Sequence, residues 1–110
     1  MAGILFLVIT ATLILIIGFP GIQGDAVPVT FSLEAPYAHS VAIVGDFNNW
    51  DPGKHLLKNT DGIWKATIQL KKGNIYTYNF LLDGTEMVTD PKSQSIDDGY
   101  GGESSIIEVK

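Results

Sequence analysis

Two stretches of strict apolar–polar alternation constrain the fold of this chain more than any other feature. Residues 63–70, IWKATIQL, carry an apolar side chain at every even position, and residues 75–82, IYTYNFLL, repeat the pattern with aromatic residues and leucine. A period of two is the period of a β-strand that buries one face. Lys71–Asn74 lie between the two stretches and contain the glycine and asparagine that favour a turn. The sequence therefore predicts two strands joined by a turn.

The rest of the sequence from Val27 onward follows the same design in shorter pieces. Asp61-Gly62 and Asp83-Gly84 are turn signals, and there is no sustained helical period. The further predicted strands are Val27–Leu33, whose Pro28 places its start at a sheet edge, Ser40–Phe47, Glu86–Asp90 and Ser104–Val109, with loops at 48–53 and 92–102. Six or seven short strands in about 85 residues are typical of an immunoglobulin-like β-sandwich. We predict this all-β fold for residues 27–110.

The first 24 residues differ from the rest because they contain no charged side chain. This apolar run predicts a hydrophobic signal or anchor helix, assigned to residues 1–26, ahead of the β-domain. It is either a cleaved signal peptide, with small residues Gly24 and Ala26 before a cut at Val27, or an uncleaved anchor that enters the membrane with residues 2–22. Both interpretations send the β-domain out of the cytoplasm, to the cell envelope or the medium, because no basic residue closely follows the run.

Composition excludes several functional classes. The absence of cysteine rules out disulfides and thiolate chemistry, and a net charge of −5 without any arginine argues against nucleic acid and anionic membrane surfaces as ligands. His39 and His55 are isolated histidines, and Asp97–Gly99 is better explained as a turn than as a calcium loop, so we predict no metal and no cofactor. The sequence has no nucleophile motif, and a domain of this size leaves little room for opposed carboxylates in a cleft. We therefore predict that the domain is not an enzyme.

A series of motifs in one order carries a resemblance to a known family. The motifs are GDFNNW, DGIWKATIQL, GNIYTYNFLLDG, TDP and GYGGESSIIEV, all within residues 41–109. In this order they resemble carbohydrate-binding module family 48, the glycogen-recognition domain found in the β-subunit of AMP-activated protein kinase, in isoamylases and in glycogen-branching enzymes. The resemblance implies an early-set, immunoglobulin-like β-sandwich, which is the fold that the strand pattern also predicts.

The resemblance implies a role for Trp50, the last residue of GDFNNW. In starch- and glycogen-binding members the tryptophan of this motif stacks on a glucose ring, and an indole does offer a rigid apolar plane to the C–H face of a pyranose. Asn49 joins it as a candidate contact because amides pair with hydroxyl groups. Asn48 and Asn49 would, however, more commonly bond the backbone of their own turn. The alternative for Trp50 is structural, with the indole closing the end of the core.

The resemblance is incomplete at other positions of the implied site. Binding members often carry lysine where this chain has Asn79, which either bonds sugar or is a plain exposed polar residue. They also carry a second stacking tryptophan after the next turn, and residues 85–87 contain no aromatic side chain. Tyr100 is the candidate for a second platform from a different place. Losing one of two stacking planes costs roughly 1–3 kcal/mol, so we expect weak binding.

These residues lead to a primary hypothesis and to an alternative from another class. The primary hypothesis is a non-catalytic α-glucan-binding module of the glycogen or starch type, exported or tethered to a membrane. Its sugar contacts would be Trp50, Asn79, Tyr100 and Asn49. The alternative is a protein-interaction or structural sandwich that has lost sugar binding. Besides the glucan, the expected partner is a separate glucan-active enzyme or another envelope protein.

Overall fold

Residues 25–110 are described by the computed structural model, and they form two antiparallel β-sheets. Numbered in chain order, the strands are β1 Ala26–Glu34, β2 Val41–Gly45, β3 Lys58–Thr60, β4 Ile63–Lys71, β5 Asn74–Leu82, β6 Glu86–Val88, β7 Gln94–Asp97 and β8 Glu103–Val109. One sheet has three strands in the order β1-β4-β3, and the other has five in the order β2-β5-β8-β7, with β6 also paired to β5. A three-residue 3-10 helix, Asp46–Asn48, directly follows β2. The predicted all-β sandwich is confirmed.

The core lies between the two sheets because each sheet turns the apolar face of its alternating strands inward. Phe31 of β1 meets Tyr78 of β5 edge to face, with ring centroids 4.9 Å apart. Phe80 of β5 is fully buried and Trp64 of β4 is only 7% exposed, so the even positions of both strands face inward as predicted. The odd positions of β5 therefore face outward, and this outward face carries the candidate site.

The two Asp-Gly turns adopt the conformation that the sequence predicts. The backbone angle φ is 52° at Asp61 and 85° at Gly62, and it is 52° at Asp83 and 74° at Gly84. Positive φ at both central residues belongs to the type I′ turn, whose twist suits the strands of a hairpin. Each turn therefore fixes the register of the strands on either side of it.

Strand boundaries differ from the prediction where the sequence lacks apolar alternation. The predicted strand Ser40–Phe47 gives way to the 3-10 helix at Asp46, and the predicted strand 86–90 ends at Val88. The loop predicted for residues 92–102 contains β7, and the sequence does not predict β3 at all. Every side chain of β3 and β7 is exposed. Neither strand therefore shows the period-two burial by which strands are recognised in a sequence.

A buried polar cluster holds the loop after β6 against the core. The Tyr78 hydroxyl donates to Asp90 Oδ2 at 2.7 Å, and the Asp90 backbone N–H donates to Ser105 Oγ, also at 2.7 Å. Burial raises the pKa of the Tyr78 hydroxyl well above its ordinary value. Lys92 Nζ lies 3.4 Å from Asp90 Oδ1 and neutralises the buried carboxylate. These residues stabilise the fold, and Ser105 links the cluster to Asn79 on the outward face of β5 through hydrogen bonds to Asn79 Oδ1.

The predicted signal or anchor helix at residues 1–26 lies outside the described residues, apart from its last two positions. Ala26, the last residue of that segment, is the first residue of β1. Across residues 25–110 the structure contains no helix with the length and apolar character needed to cross a membrane.

Candidate binding groove

An open groove with a volume of about 640 Å³ lies on the outward face of the five-stranded sheet. Its floor comes from β5, where Thr77 and Asn79 alternate with the inward-facing Tyr78. The lining residues are Asp46, Trp50, Thr77, Asn79, Met87, Ile96, Asp97, Asp98, Tyr100, Gly102, Glu103 and Ser104. This volume is within the range of small-molecule sites. Trp50, Asn79 and Tyr100, three of the four candidate sugar contacts, all line it.

Trp50 stands at the groove on a turn that holds its backbone in an uncommon conformation. The angle φ is 57° at Asn49 and 56° at Trp50, and the Trp50 N–H donates to the Gly45 carbonyl at 3.0 Å. Asparagine adopts this left-handed region readily, whereas a bulky residue does so rarely and at a cost of about 1–3 kcal/mol. Trp50 is 37% exposed, and in the described part of the chain its indole forms no ring pair with Phe47. A strained tryptophan left partly in water indicates a role outside the core.

Asp46 ties the indole to strand β5. Its Oδ1 accepts a hydrogen bond from Trp50 Nε1 at 3.3 Å, and its Oδ2 accepts from the Thr77 N–H at 2.8 Å and the Thr77 hydroxyl at 3.0 Å. Hydrogen bonds to an ionised carboxylate are stronger than those between neutral groups. The ring is therefore held beside the groove floor, and a plane fixed in advance loses less freedom when a ligand binds.

The two asparagines before Trp50 occupy positions set by the turn. Asn48 is 4% exposed. Its Oδ1 accepts from the Gly45 N–H and its Nδ2 donates to the Ile43 carbonyl, both at 3.0 Å, which is the backbone-bonding role predicted for it. Asn49 is exposed and is not among the residues that line the groove. The structure therefore places this candidate beside the groove, and its sugar contact stays a prediction.

Gly45 permits the close approach of strands on which the turn depends. A Cβ atom at this position would lie 2.6 Å from the Thr77 carbonyl oxygen and 2.7 Å from the Tyr78 Cβ. Both distances are shorter than van der Waals contact, so any larger residue must push β2 away from β5. Because the backbone N–H of Trp50 donates a hydrogen bond to the Gly45 carbonyl, such a displacement would also move the indole.

Asn79 lies on the groove floor but bonds mainly to the protein itself. It is 5% exposed, so the alternative of a plain exposed polar residue is wrong. Its Oδ1 accepts from the Ser105 N–H and hydroxyl at 3.2 Å each, and its Nδ2 donates to the Glu103 carbonyl at 3.0 Å. An amide nitrogen carries two hydrogens, so Asn79 can still donate one hydrogen bond to a ligand.

Tyr100 enters the groove from the loop between β7 and β8 and is 94% exposed. Asp98 Oδ1 fixes this loop by accepting from the backbone N–H of Tyr100 at 2.7 Å and of Gly102 at 3.0 Å. Asp97 Oδ1 accepts from the Gly99 N–H at 2.7 Å. The predicted turn at Asp97–Gly99 is thus confirmed, and it presents an exposed phenol ring on a constrained backbone.

Several groove residues are not identified by the sequence. Met87, which is 52% exposed, and Ile96, which is 44% exposed, bring apolar side chains to the groove. Asp46 and Glu103 bring carboxylates. Met87 lies in the segment 85–87, which contains no aromatic side chain, but a search of this segment for any apolar side chain would have found it. Ile96 lies in β7, a strand that the sequence does not predict.

The groove combines apolar surface with hydrogen-bond acceptors and has no basic side chain among its lining residues. The apolar surface comes from Trp50, Tyr100, Met87 and Ile96, and the acceptors include the carboxylates of Asp46, Asp97, Asp98 and Glu103. Within residues 25–110 no group of three His, Cys, Asp or Glu side chains could hold a metal ion. The arrangement suits an uncharged ligand that has both apolar faces and hydroxyl groups.

Comparison with known proteins identifies the family. The chain is similar to 1,4-α-glucan branching enzymes from Lactobacillus acidophilus, at 35% identity over 85 residues, and from Fusobacterium nucleatum, at 49% over 68 residues. These matches cover 73% and 56% of this chain but only 13% and 11% of the relatives, so the chain spans a small part of their length. A third match, to the branching enzyme of Rubrobacter xylanophilus, reaches 32% identity over 91 residues, which is 79% of this chain and 12% of that protein. Residues 27–110 match the family model described as the glycogen recognition site of AMP-activated protein kinase, and the chain therefore belongs to this family.

Proposed function

We propose that this domain is a non-catalytic module that binds an α-glucan of the glycogen or starch type in the groove. The observation that carries the proposal is the position of Trp50, whose strained turn and bond to Asp46 hold an indole partly exposed at the groove. Membership of the glycogen-recognition family supports the choice of ligand. The branching enzymes to which the chain is similar act, by their name, on the same kind of polymer.

The chemistry of the groove suits a chain of glucose units. A pyranose has an apolar C–H face, to which Trp50 and Tyr100 can offer aromatic planes. Sugar hydroxyls can donate to the carboxylates of Asp97 and Glu103 and can accept from Asn79 Nδ2. Met87, an exposed apolar side chain of the groove, would contact a neighbouring unit.

We expect weak binding because the groove offers fewer aromatic planes and charged donors than a site with two stacking tryptophans and a lysine. Each aromatic stacking contact contributes roughly 1–3 kcal/mol, and Met87 provides no aromatic plane. Asn79 is uncharged, and the protein already occupies three of its hydrogen bonds. A dissociation constant near 1 mM corresponds to about 4.1 kcal/mol of binding free energy, and we expect this range for a short oligosaccharide.

Isothermal titration with maltoheptaose tests the proposal. The protein should release or absorb heat saturably, and Trp50→Ala should weaken binding by about ten- to a hundred-fold, which corresponds to the loss of one stacking contact. Tyr37→Ala is the matched control, because Tyr37 is 67% exposed but does not line the groove. This variant should bind as the unchanged protein does. Absence of heat, together with no retention on immobilised glycogen, would remove the sugar-binding function and favour the protein-interaction alternative.

The domain is proposed to act beside a catalytic unit. Asp46 uses both carboxylate oxygens to bond Trp50 and Thr77, and Asp98 bonds two backbone N–H groups. These two acids therefore hold the segments beside the groove. Asp97 and Glu103 keep an open oxygen, and we assign them to binding sugar hydroxyls rather than to the acid–base pair of a glycosidase; membership of a glycogen-recognition family supports this choice. A separate glucan-active enzyme would benefit from the higher local glucan concentration. Incubation of the isolated protein with maltoheptaose should leave the sugar intact by chromatography, and the appearance of shorter or longer chains would contradict this.

Export or membrane tethering is proposed from the uncharged, apolar residues 1–24. Cell fractionation should place the protein in the envelope or the medium. N-terminal sequencing of that material would separate a signal peptide cut before Val27 from an anchor that keeps residues 2–22. Recovery of the intact chain in the cytoplasmic fraction would contradict both.

A further inference from the structure

We infer that the groove selects uncharged glucans and rejects glucans that carry phosphate or other anionic groups. This inference rests on the proposed function, because it assigns a ligand class to the same groove. It follows from the distribution of charge around the groove and from the hydrogen-bonding state of the carboxylates in it.

Negative charge is concentrated at the groove. The exposed carboxylates that line it are Asp46, Asp97, Asp98 and Glu103. In the described part of the chain the ion pairs involve other carboxylates, those of Asp83 and Asp90. Among residues 25–110 the groove carboxylates therefore have no cationic partner.

The carboxylates also offer only hydrogen-bond acceptors, whereas an anion needs donors. Asp97 Oδ1 accepts from the Gly99 N–H at 2.7 Å, and Glu103 Oε1 accepts from the Ser95 hydroxyl at 3.0 Å. The second oxygen of each side chain accepts no hydrogen bond from residues 25–110 and is available to a ligand. A sugar hydroxyl can donate to such an oxygen. An ionised phosphate has only acceptor oxygens to offer and adds like-charge repulsion.

No lysine is among the residues that line the groove. Lys58 and Lys65 are direct cross-strand partners on the three-stranded sheet, and both are exposed. The sequence contains no arginine. On the groove floor the side chain of Asn79 is an uncharged amide. No cation is thus placed to compensate an anionic group on a bound sugar.

The weakening of binding by a phosphate group should depend on salt concentration. Repulsion between exposed charges is screened over about 8 Å at 0.15 M salt but over about 30 Å at 0.01 M. Four uncompensated carboxylates should therefore weaken binding of a monophosphorylated maltoheptaose by about tenfold or more at low salt, relative to maltoheptaose itself. The difference should narrow as salt is added.

Isothermal titration of the full chain measures the dissociation constants of maltoheptaose and of its monophosphorylated form. The quantity compared between the unchanged protein and each variant is the constant for the phosphorylated sugar divided by that for maltoheptaose. In the double variant Asp97→Asn, Glu103→Gln the amide oxygens can keep the bonds to Gly99 and Ser95 while both charges are removed. The ratio should fall several-fold toward one. Glu108→Gln is the control, because Glu108 is an exposed carboxylate of β8 that does not line the groove. It should leave the ratio unchanged.

Two results overturn the inference and separate it from the proposed function. If the unchanged protein binds both sugars equally at low salt, or if the double variant keeps the ratio of the unchanged protein, charge selection is refuted while glucan binding stands. If neither sugar binds, the proposed function falls and the inference falls with it.

Discussion

Trp50 and Trp64 are the two tryptophans of the chain, and they lie in opposite environments. Trp64 is the second residue of the alternating strand β4, is 7% exposed, and donates from Nε1 to the buried Ala35 carbonyl at 3.0 Å. Trp50 occupies a turn with positive φ, is 37% exposed, and donates from Nε1 to the exposed carboxylate of Asp46. Each indole N–H donates one hydrogen bond. The acceptor for Trp64 is buried, whereas the acceptor for Trp50, Asp46, lines the groove.

The difference separates stability from function within one residue type. Trp64 lies in a strand, and its side chain is buried in the core. Its contribution to the stability of the fold is enough to explain a tryptophan at this position. Trp50 has a strained backbone and an incomplete set of contacts, so the folded state alone does not explain it. Strain that persists at an exposed bulky residue is typical of binding positions.

Replacing Trp64 should have the largest effect. Trp64→Ala removes a buried aromatic side chain, which typically costs about 3–5 kcal/mol, a large share of the stability of a small domain. Urea unfolding followed by circular dichroism measures the loss. Trp64→Phe keeps most of the buried surface and should cost clearly less. A Trp64→Ala protein as stable as the unchanged one would show that the core does not depend on this ring.

Replacing Trp50 should show the reverse pattern. Trp50→Gly removes the strain at φ 56°, because glycine adopts positive φ freely. Its free energy of unfolding should stay within about 1 kcal/mol of the unchanged protein, since strain relief offsets the lost contacts and the added chain entropy. Glycogen retention should disappear. A large loss of stability in this variant would assign Trp50 to the core after all.

Replacing Asp46 should have the smallest effect and should act through Trp50. Asp46→Asn can keep an acceptor for one partner but cannot serve Trp50 Nε1 and both Thr77 donors as a carboxylate does. We expect maltoheptaose affinity to fall by about threefold to tenfold, which corresponds to about 1 kcal/mol, the net contribution of an ordinary hydrogen bond. Fluorescence anisotropy of Trp50, measured in a Trp64→Phe background, should also fall. Unchanged anisotropy with reduced affinity would mean that Asp46 does not act by holding the ring.

The same comparison explains how much the sequence could predict. Strands β4 and β5, which follow one another in the chain and lie in different sheets, were predictable because alternation records which face is buried. The Asp-Gly turns were predictable because few residues tolerate positive φ. Strands β3 and β7 were not, since all their side chains are exposed. These strands are defined by backbone pairing with a neighbour and leave no apolar pattern.

The site was predictable only in part for a related reason. Trp50 and Tyr100 could be named because large aromatic residues in turn-rich segments stand out, and because the motif around Trp50 resembles a known family. Asp46 could not be named, because its role depends on Thr77, which is 31 positions away in sequence. That contact exists only once β2 and β5 are paired.

The central claim is that the indole of Trp50 contacts the bound sugar. Two proteins with a single tryptophan, one with Trp64→Phe and one with Trp50→Phe, allow each indole to be observed alone. Titration of the Trp64→Phe protein with maltoheptaose should change the emission of Trp50 saturably, with the dissociation constant found by calorimetry. The emission of Trp64 in the Trp50→Phe protein should not respond. An emission from Trp50 that stays constant while calorimetry reports binding would contradict the account.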